Sequence, residues 1–230
     1  ASAMKSAFEV DQVVTATIII SLLAIIIFGG IKRISLVAEF IVPLMAIAYM
    51  LVALVIIGMN IHVLPDILGL ILRSAFASDA TYGGLIGAAI SWGVKRGIYS
   101  NEAGQGTGPH AAAAAEVSHP VKQGLVQAFS VYIDTLLICT ATAFIILITN
   151  QYNVFGPDQQ LIQNQLGNVV AGPVYTQMAV DSVFNNFGSP FVAISLLFFA
   201  FTTLMAYYYI AETNIAFLTR RFSGSRGWTL

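Results

Sequence analysis

Charge is what this 230-residue chain has least of: Asp, Glu, Lys and Arg make up 9% of it, 10 basic residues against 11 acidic, where an ordinary soluble domain carries about 25%. A surface so poor in charge does not solvate a folded domain in water. A net charge of -1 offers no basic face, so no nucleic-acid partner is expected. Cysteine is scarcer still. Cys139 stands alone, which excludes an internal disulfide and a cysteine-based metal centre and leaves it as a small buried hydrophobe. No basic start with a short apolar core and cleavage site opens the chain, so no signal peptide is expected. What abounds is hydrocarbon: 57% of residues are hydrophobic and the mean hydropathy is +0.82. The apolar runs recur from end to end, which points to an all-α integral membrane protein, a multi-span helical bundle with residues 1–230 as a single transmembrane domain.

Residues 1–12 are mixed and polar. A first span covers about 13–30, ending at Gly29-Gly30, and Lys32 and Arg33 make a very short connection to a second at 34–58, interrupted by Glu39 and Pro43. Ile67–Phe76 is amphipathic and too short to cross, so it is placed on the surface. Long spans follow at about 123–149 and 190–213. The connection between them, 150–189, is polar, with Tyr175–Phe187 as a candidate surface helix.

Between the second and the later spans the pattern breaks. Gly83–Trp92 is apolar but short, Lys95-Arg96 closes it, and His110–Glu116 is an alanine run of half length. The stretch between them, Gly97-Ile98-Tyr99-Ser100-Asn101-Glu102-Ala103-Gly104-Gln105-Gly106-Thr107-Gly108-Pro109, is rich in glycine and carries an acid. Two half-length apolar pieces around a polar break make one discontinuous crossing, about 83–117. Unwound backbone at that depth is tolerated only where it lines a cavity. The expectation is that Ser100–Gly104 is non-helical and contributes backbone groups and Asn101 to a binding site, with Glu102 as an alternative helix-start carboxylate for the alanine helix.

Asp134 is the informative residue of the next span. It lies well inside the hydrocarbon, where an acid costs a few kcal/mol unless it faces a partner, water or an ion. Gln127, Ser130, Thr135, Cys139 and Thr142 share its half of the helical wheel. Thr202-Thr203 sit in the middle of the last span, and their hydroxyls commonly bond the carbonyl one turn back. His110 and His119 flank the alanine helix with no nucleophile motif beside them, so an intramembrane hydrolase is disfavoured and no enzyme is expected. Lys32-Arg33, Lys122 and Arg220-Arg221 fall on one side of the bundle, which places that side in the cytoplasm.

Gly29-Gly30-Ile31-Lys32-Arg33-Ile34, Gly93 through Gly104, Pro120-Val121-Lys122-Gln123-Gly124, Ile133-Asp134-Thr135, Cys139-Thr140-Ala141-Thr142 and Phe201-Thr202-Thr203 together resemble the alanine or glycine:cation symporter family, also called the sodium:alanine symporters. Ser100-Asn101-Glu102-Ala103-Gly104 is the most specific of these runs, and the resemblance extends from about 13 to 217. Tyr207 stands where the family often has Trp.

The resemblance implies a leucine-transporter-type inverted-repeat fold with one broken helix in this piece, the chain being a fragment that covers about helices four to eight. It implies sodium-coupled symport of a small neutral amino acid, alanine or glycine, across the cytoplasmic membrane by alternating access. Ser100, Asn101, Ala103, Gly104 and Tyr207 would then bind substrate. Thr202, Thr203, Asn101 and Asp134 would bind sodium, the coupling ion, with no other cofactor. The competing class is a non-transporting membrane subunit or channel-like bundle, in which the break re-enters the membrane to line a pore.

Overall fold

In the computed structural model, which describes residues 1–76, 99–102, 104, 106–155, 161–163, 165–167, 169 and 171–220, the apolar runs become helices whose ends are set by polar punctuation. Ser2–Phe8 (α1) stops at Glu9, whose φ of 56° is left-handed. The Asp11 carboxylate then accepts the Val13 amide at 2.7 Å and starts Gln12–Ile27 (α2). The two helices meet at 118°. With 16 residues, α2 is about 24 Å long at 1.5 Å per residue, short of a hydrocarbon core of about 30 Å.

Gly30–Met59 (α3) has 30 residues and runs on through Pro43. Arg33 folds back over the turn and donates from Nη1 to the Ile25 carbonyl at 3.3 Å, tying α3 to α2. A single 3₁₀ turn, Ile61–Val63, leads into Leu64–Phe76 (α4), whose 13 residues are too few to cross. Residues 83–98, the first part of the discontinuous crossing expected from the sequence, and Ala103 and Gln105 lie outside the described residues.

The alanine run gives Gly108–Ala113 (α5), a helix shorter than that run suggests. Alanine propensity alone does not hold a helix of one or two turns in water, and this one begins where Pro109 presets φ, not where the alanines begin. Next, Pro120–Tyr132 (α6), a seven-residue π-helical segment Ile133–Cys139, and Thr140–Ile148 (α7) join end to end as one column of 29 residues.

The connection 150–189 departs from an all-helical plan. Val154–Phe155 (β1) and Leu161–Gln163 (β2) pair antiparallel. Asn153, 8% exposed, organises the turns around them. Its Nδ2 donates to the carbonyls of Gly167 at 2.9 Å and Val169 at 3.2 Å, and its Oδ1 accepts the amides of Gln165 and Leu166, each at 2.9 Å. Asn153→Asp keeps the shape but turns two donors into acceptors facing carbonyls. Each buried group left unpaired costs about 1–3 kcal/mol, so the variant is expected to admit protease between 150 and 172 at least tenfold faster than the parent; an unchanged cleavage rate refutes the role.

Pro173–Asp181 (α8) and Gly188–Arg220 (α9) are the last described helices. α8 is not the surface helix that its polar residues suggested: Tyr175, Thr176, Gln177, Ala179 and Val180 are all buried. It lies over a core of Tyr49, Ala53 and Ile56 from α3, Ala141 and Ile145 from α7, and Val192 from α9. Ala53, Ala141 and Ala179 in this core let the helix axes approach closely. Gln177 donates from Nε2 to the carbonyls of Ala3 and Ser189, each at 3.2 Å, while its Oε1 is buried with no partner among the described residues. A second cluster, Ile34, Phe201 and Met205, packs α9 against α2 and α3.

Three helical stretches among the described residues are long and apolar enough to cross a membrane: Arg33–Met59, Pro120–Ile148 and Gly188–Leu218; α1 with α2 makes a fourth if the bent pair is one span. Their outward residues, such as Phe40, Leu44, Leu125, Phe129 and Phe217, are exposed and apolar, as lipid-facing positions are.

Candidate functional site at the helix break

Tyr99, Ser100 and Asn101 are helical, which corrects the expectation that the break starts at Ser100. Helical geometry ends at Glu102, whose φ is 56°, and Gly104 and Gly106 follow at 88° and 84°. Glycine meets that backbone at no steric cost and Glu does not, so Glu102 is the strained residue at the point where the helix unwinds. It is not the first-turn acid of α5, which starts six positions later and has no acid in its first turn.

The last helical turn before the break faces the π-helical segment. Ser100 donates from Oγ to Asp134 Oδ2 at 2.8 Å and lies 3.3 Å from Cys139 Sγ. Asn101 Nδ2 donates to Thr135 Oγ1 at 3.1 Å. Asp134 is half-buried, and Cys139 Sγ lies 3.9 Å from its Oδ2.

The π geometry makes this possible. One wide turn brings Asp134 and Cys139, five apart, onto one edge, and the Thr140 hydroxyl reaches the Thr135 carbonyl five residues back at 3.1 Å. Cys139, expected as a buried hydrophobe, is therefore part of the polar cluster. The apolar sequence Ile-Asp-Thr-Leu-Leu-Ile-Cys gives no local sign of a π segment, and it escapes sequence reasoning.

Beside the cluster lies a cleft of about 890 Å³ whose wall includes Asn101, Glu102, Gly104, Gln123 and Gln127. Asn101 thus belongs both to the cleft and to the hydrogen bonds around Asp134. Gln123 and Gln127 are one turn apart on α6, the half-buried face of an otherwise exposed helix; Gln123 was not singled out in the sequence, although its spacing of four from Gln127 was there to find. Thr107 Oγ1, at the entry to α5, is buried with no hydrogen-bond partner among the described residues.

The α9 residues form a separate group. Thr202 and Thr203 both donate to the Phe199 carbonyl, at 3.0 and 2.9 Å, which uses each hydroxyl proton and leaves oxygen lone pairs. Tyr207, one turn on, is 43% exposed. The structure thus brings Ser100 to Asp134 and Asn101 to Thr135, sets Asn101 and Gly104 on the wall of one cleft, and leaves Thr202, Thr203 and Tyr207 on their own helix. Ala103 lies outside the described residues.

A helical end at 99–101 hydrogen-bonded to a carboxylate in a crossing-length helix is an arrangement suited to holding a small solute or ion. The family model described as "Sodium:alanine symporter family" matches residues 1–227. The chain belongs to the sodium:alanine symporter family.

Three relatives give the scale of the likeness. YrbD of Bacillus subtilis (strain 168) is 64% identical over 96% of this chain and 46% of its own length. A protein of Bacillus sp. (strain PS3) named sodium/proton-dependent alanine carrier protein is 56% identical over 96% of this chain and 50% of its own. The sodium/alanine symporter AgcS of Methanococcus maripaludis is 38% identical over 95% and 46%. The chain spans about half the length of the curated relatives it matches. Family membership together with several crossing-length apolar helices makes this symporter-family chain part of a multi-pass membrane protein.

Proposed function

We propose that the full-length protein imports a small neutral amino acid, alanine or glycine, in symport with sodium across the cytoplasmic membrane by alternating access. The observation that carries this reading is the pair of hydrogen bonds from Ser100 to Asp134 and from Asn101 to Thr135, which couple the end of a broken helix to a carboxylate inside a crossing. The names of the Bacillus sp. and Methanococcus relatives support it. In this reading the chain supplies five crossings, with spans near 13–30, 34–58, 83–117, 123–149 and 190–213, of a leucine-transporter-type inverted-repeat fold, within one transmembrane domain.

Ser100, Asn101, Ala103, Gly104 and Tyr207 face the amino acid, with amides and carbonyls freed at the break meeting its carboxylate and ammonium. Sodium takes oxygen from Thr202, Thr203, Asn101 and Asp134. It is a hard, singly charged cation, and hydroxyl and carbonyl oxygens suffice for it. The lone pairs of Thr202 and Thr203 are available for this while their protons stay on Phe199.

Labelled alanine uptake by cells making the full-length protein is expected to fall at least tenfold when sodium is replaced by choline. Uptake indifferent to the cation, or none at all with the protein in the membrane, favours a channel-like bundle or a non-transporting subunit instead. Thr202→Val and Thr203→Val keep the shape and delete the oxygen. Each is expected to raise the sodium concentration for half-maximal uptake about tenfold, the worth of about 1.4 kcal/mol, without changing the amount of protein in the membrane. Unaltered sodium dependence in both removes α9 from the ion site.

A further inference from the structure

A second cavity lies away from the break, where α3, the π-helical segment, α7, α8 and α9 meet. It has a volume of about 140 Å³, and Tyr49, Thr142, Thr176 and Ser195 line it together with Ile138. Four hydroxyl-bearing residues converging on one void is unexpected in the best-buried part of an apolar bundle. Two of them are partnered: Tyr49 Oη and Thr142 Oγ1 are 2.8 Å apart, and Thr142 donates to the Ile138 carbonyl at 2.9 Å, so Tyr49 is the donor to Thr142.

Thr176 and Ser195 are different. They are only 8% and 7% exposed, yet among the described residues neither hydroxyl makes a hydrogen bond. Thr149, Thr202, Thr203 and Thr213, by contrast, all turn their hydroxyls back onto carbonyls of their own helices. Among the described residues the side-chain oxygens buried without a partner are Thr107 Oγ1 and Gln177 Oε1, not these two, so the Thr176 and Ser195 hydroxyls open onto the cavity they line, and a partner inside it satisfies them.

We propose that this cavity is an interior hydration site, holding a small group of ordered waters that bridge Thr176 of α8 and Ser195 of α9 to the Tyr49–Thr142 pair. Its volume far exceeds the about 10–15 Å³ that one water requires, and hydroxyls give each water the two to four polar partners that hold it. The lining residues named are neutral, so a cation there would be a buried charge without a counter-charge, much more costly than a water. An apolar occupant would leave both hydroxyls bare. The waters join the connection 150–189 to the membrane helices, on the side of the π segment where the Thr142 hydroxyl meets the Ile138 carbonyl.

The sign of a stability change tests this. In the full-length protein in detergent, Ser195→Ala and Thr176→Val are each expected to lower the thermal midpoint by a few degrees, because each removes an anchor from water that remains. The double variant is expected to fall by no more than the larger single shift, since both anchors hold the same waters. If the cavity is dry, deleting an unpartnered hydroxyl relieves a penalty and the midpoint rises, which overturns the proposal. Strictly additive losses overturn the bridge. The rise in midpoint that sodium gives over choline is expected to be equal in parent and Ser195→Ala proteins; loss of that rise in the variant assigns the cavity to a cation and sinks the water site.

Discussion

Asp134→Asn in the full-length protein is expected to cut sodium-driven alanine uptake by one to two orders of magnitude while leaving the amount of protein in the membrane unchanged. Asn keeps the volume of Asp and an acceptor oxygen, so the bond from Ser100 at 2.8 Å survives in neutral form. What disappears is the charge. A hydrogen bond to a charged group is worth about 1.5–3 kcal/mol, against about 1 for a neutral one, and an ion held by that carboxylate loses its counter-charge as well. At about 1.4 kcal/mol per factor of ten, the combined loss corresponds to roughly 10–100-fold. Insertion is spared, since a neutral amide in a crossing is less costly than an acid.

Ser100→Ala separates the two contributions. It deletes one donor to the carboxylate and leaves the charge, so a fall of less than tenfold is expected. Equal losses in both variants would mean that Asp134 serves only to hold Ser100 in place. Uptake near the parent level in Asp134→Asn reduces the residue to packing and removes the central support of the proposed function.

Gly188→Ala is expected to cost the fold itself. Gly188 begins α9 where the chain turns back from α8, and a Cβ there would sit 2.6 Å from the Val180 carbonyl carbon and 2.9 Å from Asp181 Cα, and nearer still to the Asp181 amide nitrogen. These are backbone atoms of a buried helix and do not swing aside. The alternative is for α9 to move off α8. That breaks the bonds by which the Asp181 carboxylate holds the start of α9, from the Ser189 amide at 3.0 Å and from the Ser189 hydroxyl.

Overpacking costs about 1–3 kcal/mol, and a lost bond to the half-buried Asp181 carboxylate adds about 1.5–3 at most. The variant is therefore expected to accumulate in the membrane at a small fraction of the parent level, or to melt several degrees lower in detergent. Gly124→Ala is the control. That glycine lies inside α6 with nothing among the described residues, apart from its own helix backbone, within 4 Å of a new Cβ, and helix propensity favours Ala by up to about 1 kcal/mol. Parent-like levels in both variants would show that the α8–α9 corner yields, contrary to the rigidity argued for it.

What the sequence by itself determined is the solvent and much of the local plan. Runs of Ile, Leu and Val this long are compatible only with helices in hydrocarbon, because each backbone polar group must be satisfied within its own segment. Glycines at 104 and 106 mark the unwound stretch, since a left-handed backbone is open to them. Asp134 stood out as an acid with no place among apolar neighbours, and the run Ser100 to Gly104 pointed to the family.

Tertiary structure decided the rest. The break starts two residues later than glycine content suggests, because Ser100 and Asn101 keep helical geometry while bonding across to Asp134 and Thr135, a gain from residues 34 positions away. The π turn that brings Cys139 to Asp134 leaves no periodic trace in Leu-Leu-Ile. α8 reads as a surface helix because polarity is a proxy for exposure, and the proxy fails once Gln177 finds two carbonyls on other segments. Burial depends on which helices meet, and hydrophobic periodicity reports only which face of a helix is apolar, not what covers it.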